Sequence, residues 1–203
     1  MKVPADDATI ASVNPGHQCD VVVRRATLDE IFALRHAELR PGLPHASAEF
    51  DGDTSPTTRH FAAFAARTQL ASGRVATSSH EAGGLAPSDD ADGLATPSPT
   101  AIACASFMVE PYAGRAAHQL RGMATRADLV RRGIGGALLR YAIADLVAHD
   151  DARLFWCNAR VAAVPFYRRM GWEIASDVFD VPTVGPHRAM TFVADEASGR
   201  GRA

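Results

Sequence analysis

"VRRGIGGALLR", residues 130–140, decides the reading of this chain. Three glycines and a pair of arginines stand directly before what reads as its best helix. Glycine in or beside a helix costs up to ~1 kcal/mol relative to alanine, so something should compensate. A helix N-terminus offers backbone N–H groups without internal partners and a partial positive charge. Glycines there remove side chains, so a phosphate can approach the backbone. Arg131 and Arg132 add positive charge, and together these features fit a diphosphate. The same residues also fit a glycine-tolerant turn before a helix. No Gly-Lys-Ser/Thr follows, so this is not a Walker A loop, and a dinucleotide fingerprint lacks its third glycine and its acidic residue.

Working outward, "IGGALLRYAIADLVAHD" is an amphipathic helix. Leu138, Leu139, Ala142, Ile143, Leu146 and Val147 share one face, with Arg140 and Asp145 off it. On its N-terminal side, "HQLRGMAT" (118–125) and "AIACASFMVEPY" (101–112) read as strands. On its C-terminal side come a buried strand "ARLFWCNA" and a short helix "VPFYRRMG", with Pro165 in its first turn and Gly171 at its end. "WEIASDVFDV" and "HRAMTFVA" close the chain as strands. Nearer the start, "DVVVRRAT" is a strand, and "LDEIFALRHAELR" a helix before Pro41 with Ile31, Leu34 and Leu39 inward. Thr27 and Glu30 are spaced as a capping box for it. "RHFAAFAAR" (59–67) is a further strand. This order predicts an α/β (α+β) fold with a mixed, mostly antiparallel sheet and helices on its faces.

The chain has 203 residues, 47% of them hydrophobic, and a formal net charge of −2. One domain with a real core is expected over 20–195, with tails at 1–19 and 196–203. Residues 69–100 hold almost no large apolar side chain and read as a flexible insertion in a hairpin. A tolerated surface insertion is favoured over a lid, because loop-closure entropy grows slowly with length. The charge balance argues against a nucleic-acid partner, and no apolar run reaches the ~20 residues of a membrane helix. "MKVPADDATIASVNPG" has no apolar centre, so it does not read as a signal peptide. Cys19, Cys104 and Cys157 form no metal motif, and their odd number suggests reduced thiols in a cytoplasmic protein. No metal is expected.

"LRGMATRADLVRRGIGGALL" followed by "WCNARVAAVPFYRRMGW" resembles the GNAT superfamily of acetyl-CoA-dependent N-acetyltransferases. The resemblance is specific from Leu120 to Trp172 and looser elsewhere between Asp20 and Val193. It implies splayed middle strands and acetyl-CoA as co-substrate. It implies that Arg131, Arg132, Gly133, Ile134, Gly135 and Gly136 hold the pyrophosphate. Met123, Ala124 and Thr125 would pair with the pantetheine arm and the acetyl carbonyl. Asn158, Phe166 and Tyr167 would flank the thiol end, with Tyr167 as the general acid for the departing thiolate. Helical spacing puts Phe166 and Tyr167 on different sides of their helix. Val130 stands where the family usually has Gln or Arg, and Gln119 where an acid often sits. His60, His118, His187 and Glu110 read as structural or surface residues rather than a base.

The implied activity is acetyl transfer to a primary amine of a small molecule or peptide, by direct attack in a ternary complex. The alternative is a non-catalytic acyl-CoA-binding module, which Val130 and Gln119 favour. A nucleotide-binding protein is a third reading. A homodimer through the C-terminal strands would be ordinary for such a fold.

Overall fold

A β-branched run followed by two arginines makes Cys19–Ala26 a strand (β2), with Val21 and Val23 buried beneath the helix that crosses the sheet later. The computed structural model describes residues 9–13, 19–65 and 100–195. Thr9–Val13 forms strand β1 and pairs antiparallel with β2. Part of the stretch expected as a tail is thus built into the sheet. The expected insertion lies almost entirely outside the described residues, as does the expected C-terminal tail.

Helix α1 (Leu28–Leu39) starts where the capping box predicts. The Thr27 hydroxyl accepts from the Glu30 amide at 3.3 Å, and the Glu30 carboxylate accepts from the Thr27 amide at 2.9 Å. Strands β3 (Arg59–Ala65), β4 (Ala101–Val109) and β5 (His118–Thr125) follow, then helix α2 (Ile134–His149) and β6 (Leu154–Arg160). Helix α3 (Val164–Arg169) precedes β7 (Glu173–Ile174), β8 (Phe179–Val181) and β9 (Gly185–Val193). The sheet runs β1-β2-β3-β4-β5-β6-β9-β7, with β8 on β9. Neighbours pair antiparallel except β5 and β6, which run parallel.

Two cores result. Leu138, Leu139, Leu146 and Trp172 pack from the α2 and α3 side onto Phe61, Phe107 and Phe155. Ile31 and Leu34 pack from α1 onto Ala62, Cys104 and Ala124 on the other face. β4 lies between them and is buried along nearly all its length, which explains its unbroken apolar sequence.

Asp145 departs from the helical-wheel expectation. It is buried, because Arg25 of β2 reaches it with Nε at 2.8 Å from Oδ2. A paired charge can occupy a core position that hydrophobic periodicity assigns to solvent.

Candidate active site

The parallel pairing of β5 with β6 covers two residue pairs, His118 with Phe155 and Gln119 with Trp156. Beyond Gln119 the strands part. From Leu120 to Thr125 the edge of β5 facing β6 has no strand partner among the described residues. A bulge lies in the same stretch. Cys104 pairs with Ala124 and Ser106 with Arg121, so Gly122 and Met123 together face Ala105. Bulges bend a strand and leave backbone groups unpaired.

A cleft of about 820 Å3 opens at this split on the α2 and α3 side. Met123, Ala124 and Thr125 of β5 form one wall, and Phe166 and Tyr167 of α3 the other. Its end is the loop before α2 with Arg131 and Gly133, and the first turn of α2 with Ile134, Gly135 and Gly136. Gly133 is the N-cap of α2 at φ +84°, a conformation that costs most other residues. Gly135 is needed for space: a Cβ there would stand 3.2 Å from Thr125 Oγ1 and 3.5 Å from Met123 Cε. The bare helix N-terminus therefore sits directly against β5. This end of the cleft combines a helix N-terminus, missing side chains and the nearby Arg131. Arg140 and Arg169 line the same cleft, a contribution the helical wheel did not indicate.

Tyr167 is buried at the cleft wall, its hydroxyl 3.6 Å from Met123 Sδ. Burial holds its phenol well above the usual range, and the Cys157 thiol beside it adds to the effect. Burial likewise pushes Cys157 up to about 12, so both groups keep their protons at neutral pH. Phe166 does not point away from Tyr167 as helical spacing suggested. The rings meet edge to face at 5.1 Å and both line the cleft.

Two expected residues are not in the cleft. Arg132 is exposed and does not line it. Asn158 is exposed on β6, between Cys157 and Ala159, which are both buried in the α2-side core. Strand alternation therefore turns Asn158 to the opposite, α1-side face.

That opposite face holds what the sequence did not disclose. Arg35 of α1 is fully buried and paired with Asp53. Its Nη2 donates to Ser106 Oγ at 2.6 Å and its Nη1 to the Ala48 carbonyl at 3.2 Å. The partners define the His60 tautomer: Nε2–H donates to the Asp53 carbonyl at 3.0 Å, and Nδ1 accepts from Ser106 at 2.7 Å. Burial holds the His60 pKa below its ordinary value, with the Arg35 charge acting in the same direction. This network backs the bulge, since a Cβ at Gly122 would lie 2.9 Å from Arg35 Nε. Only the spacing of Arg35, next to inward Leu34, could have flagged it.

Residues 98–174 match the family model of the acetyltransferase (GNAT) domain. The chain is 35% identical over 94 residues to the uncharacterized N-acetyltransferase YitI of Bacillus subtilis, a match spanning 45% of this chain and 62% of that relative. The chain thus covers somewhat less than two thirds of that relative's length. Among solved structures, the GNAT domain of S. lividans PAT superposes with TM-score 0.57 at 15% identity, covering 95% of this chain and 100% of that one. The spermidine N-acetyltransferase of Vibrio cholerae in complex with CoA and spermine gives TM-score 0.53 at 9% identity, covering 85% and 95%. At such identities the likeness is one of fold. Split strands, glycine loop and matched segment coincide: residues 98–174, which match the GNAT domain, carry the cleft and the end of the pairing between β5 and β6.

Proposed function

We propose that the protein is an N-acetyltransferase that moves an acetyl group from acetyl-CoA to a primary amine. The observation that carries this reading is the unpaired edge of β5 lying beside the bare N-terminus of α2 in one cleft. A pantetheine arm is an extended chain of amides, and a strand edge without a partner is the surface that pairs with it. The α2 N-terminus, with Arg131, Arg140 and Arg169 around it, suits the pyrophosphate. CoA-bound relatives of the same fold support the co-substrate assignment.

Bound acetyl-CoA would supply an activated thioester. The chain's own contribution is positional and electrostatic. Backbone N–H groups at the β5 bulge would stabilise charge on the acetyl oxygen. Tyr167 retains its proton because it is buried, and would offer it to the sulfur as the thiolate departs. The amine would arrive through the split from the α1-side face, where no CoA group competes for space. The acceptor is a small molecule or a peptide.

Calorimetric titration with CoA, followed by a mass-shift screen of amines with acetyl-CoA, tests the reading. Micromolar CoA binding and an acetylated amine are expected. CoA binding with no transfer to any amine of a broad panel would leave the acyl-CoA-binding module. ATP or NAD binding without CoA binding would overturn both.

A further inference from the structure

On the α1-side face of the split, guanidiniums gather around Phe50. The Phe50 ring lies between three guanidiniums, with Arg35 Cζ 4.6 Å, Arg121 Cζ 5.0 Å and Arg40 Cζ 5.7 Å from its centroid. Arg160, at the end of β6 across the split, joins them. Its Nη2 donates to the Leu39 carbonyl at 3.3 Å, and Arg40 Nη1 donates to the same oxygen at 3.0 Å. Two like charges thus converge on one carbonyl at the C-terminus of α1. A helix C-terminus tolerates cations, but one carbonyl does not neutralise two of them.

Arg35 has Asp53, and Arg24, Arg25 and Arg59 elsewhere also pair with carboxylates. Arg40, Arg121 and Arg160 have no carboxylate partner among the described residues. Arg121 donates to the Asp51 carbonyl at 3.2 Å, and the exposed Arg160 uses one of its five donors among the described residues. Partly buried Arg40 is held below its ordinary pKa by desolvation, with Arg160 adding to the shift. An anion seated here would relieve that repulsion. The cleft across the sheet shows the same pattern, since Arg131, Arg140 and Arg169 also have no carboxylate partner among the described residues, where a diphosphate would bind.

We propose that the acceptor is an amine carrying a negatively charged group, carboxylate or phosphate, which Arg160 and Arg40 receive while its amine points into the split. The inference rests on the N-acetyltransferase reading and adds the substrate class. A guanidinium fork suits either oxyanion. A polycation such as spermidine, the substrate named for the spermidine N-acetyltransferase of Vibrio cholerae, would meet like charge here.

The experiment compares kcat/KM for matched acceptors with acetyl-CoA: glycylglycine against glycylglycinamide, phosphoethanolamine against ethanolamine, and spermidine alone. At least one acid should exceed its uncharged partner by about tenfold or more, and the better pair identifies the oxyanion. Arg160→Glu should abolish or invert that preference through KM, while calorimetric CoA affinity stays as in the parent. A simple capping role for Arg160 would not invert charge preference. CoA binding and amine transfer with no charge preference, or with spermidine preferred, overturns the inference and leaves the N-acetyltransferase reading standing. Absence of CoA binding overturns that reading and the inference with it.

Discussion

The two faces of the sheet at the split both carry arginines, but they are framed differently. The α2-side face is a cleft of small and apolar residues, closed by backbone amides at a bare helix N-terminus. The α1-side face is a wall of guanidiniums anchored by a buried ion pair. The first face takes its polarity from main-chain groups at the helix N-terminus and from Arg131, Arg140 and Arg169 around it. The second takes it from side chains gathered from α1, β5, β6 and the loop between α1 and β3. A backbone site constrains local sequence, whereas a side-chain site requires only that distant residues meet.

The largest effect should come from the anchor of the second face. Arg35→Met removes the partner of Asp53 and leaves its carboxylate buried. Breaking a buried pair in this way costs about 3–5 kcal/mol, and urea unfolding should read it. Adding Asp53→Asn should recover part of the loss, because the stranded charge is gone. A single variant as stable as the parent would mean that Arg35 is no anchor.

Next comes the cradle of the first face. Gly135→Glu puts a carboxylate where the phosphates approach and where even a Cβ is 3.2 Å from Thr125 Oγ1. CoA affinity should fall by about hundredfold or more, near 3 kcal/mol, while circular dichroism reports an intact fold. Unchanged affinity in a folded variant would move the pyrophosphate elsewhere.

These two residues also mark what the sequence could disclose. The place of Gly135 in the cleft at the start of α2 is legible because the signal is local: glycines, arginines and the helix start occupy consecutive positions. The Thr27–Glu30 capping box was legible for the same reason. Arg35 was not, because hydrophobic periodicity carries no signal for a charge whose partner lies 18 residues away in a loop. Asp145 with Arg25 is the same case at a separation of 120 residues. Asn158 shows a third limit. Its strand was read correctly, but the face it occupies follows from which neighbours are buried, and Cys157 and Ala159 decide that. The position of the split depends on where β5 and β6 stop pairing, which no single segment records.

Tyr167→Phe tests the chemistry between the faces. The phenol is held above its usual range, so it is a weaker acid than a free thiol with a pKa of about 8.5. It would therefore stabilise the departing thiolate by hydrogen bonding more than by completed proton transfer. A fall in kcat of about 10²-fold is expected, the low end for a positioned acid. KM for acetyl-CoA should change little. A loss under about threefold would make Tyr167 a packing residue.

The smallest effect concerns pH and again the α1-side face. His60 is neutral in the fold, with both ring nitrogens engaged and its pKa below the ordinary 6.5, first because it is buried and further because Arg35 is near. The Asp53 carbonyl and carboxylate oppose that shift without reversing it. On acidification the unfolded chain therefore takes up this proton before the folded one does. Stability is fully present above about pH 6.5 and declines as pH falls from there toward the folded pKa, at most about 1.4 kcal/mol per pH unit for one proton. Half-buried His118 shifts in the same direction, so total stability alone cannot isolate His60. The comparison must be between the parent and His60→Gln, each unfolded by urea at pH 7.5 and pH 5.5. Glu30, whose carboxyl is held below its ordinary range by Arg24, changes little in that window and cancels between the two proteins. The parent should lose more stability across the interval than the variant, by under about 1.4 kcal/mol. Equal losses would mean that His60 accepts its proton as readily folded as unfolded, and that the hydrogen bonds from Ser106 and to Asp53 do not fix its neutral form.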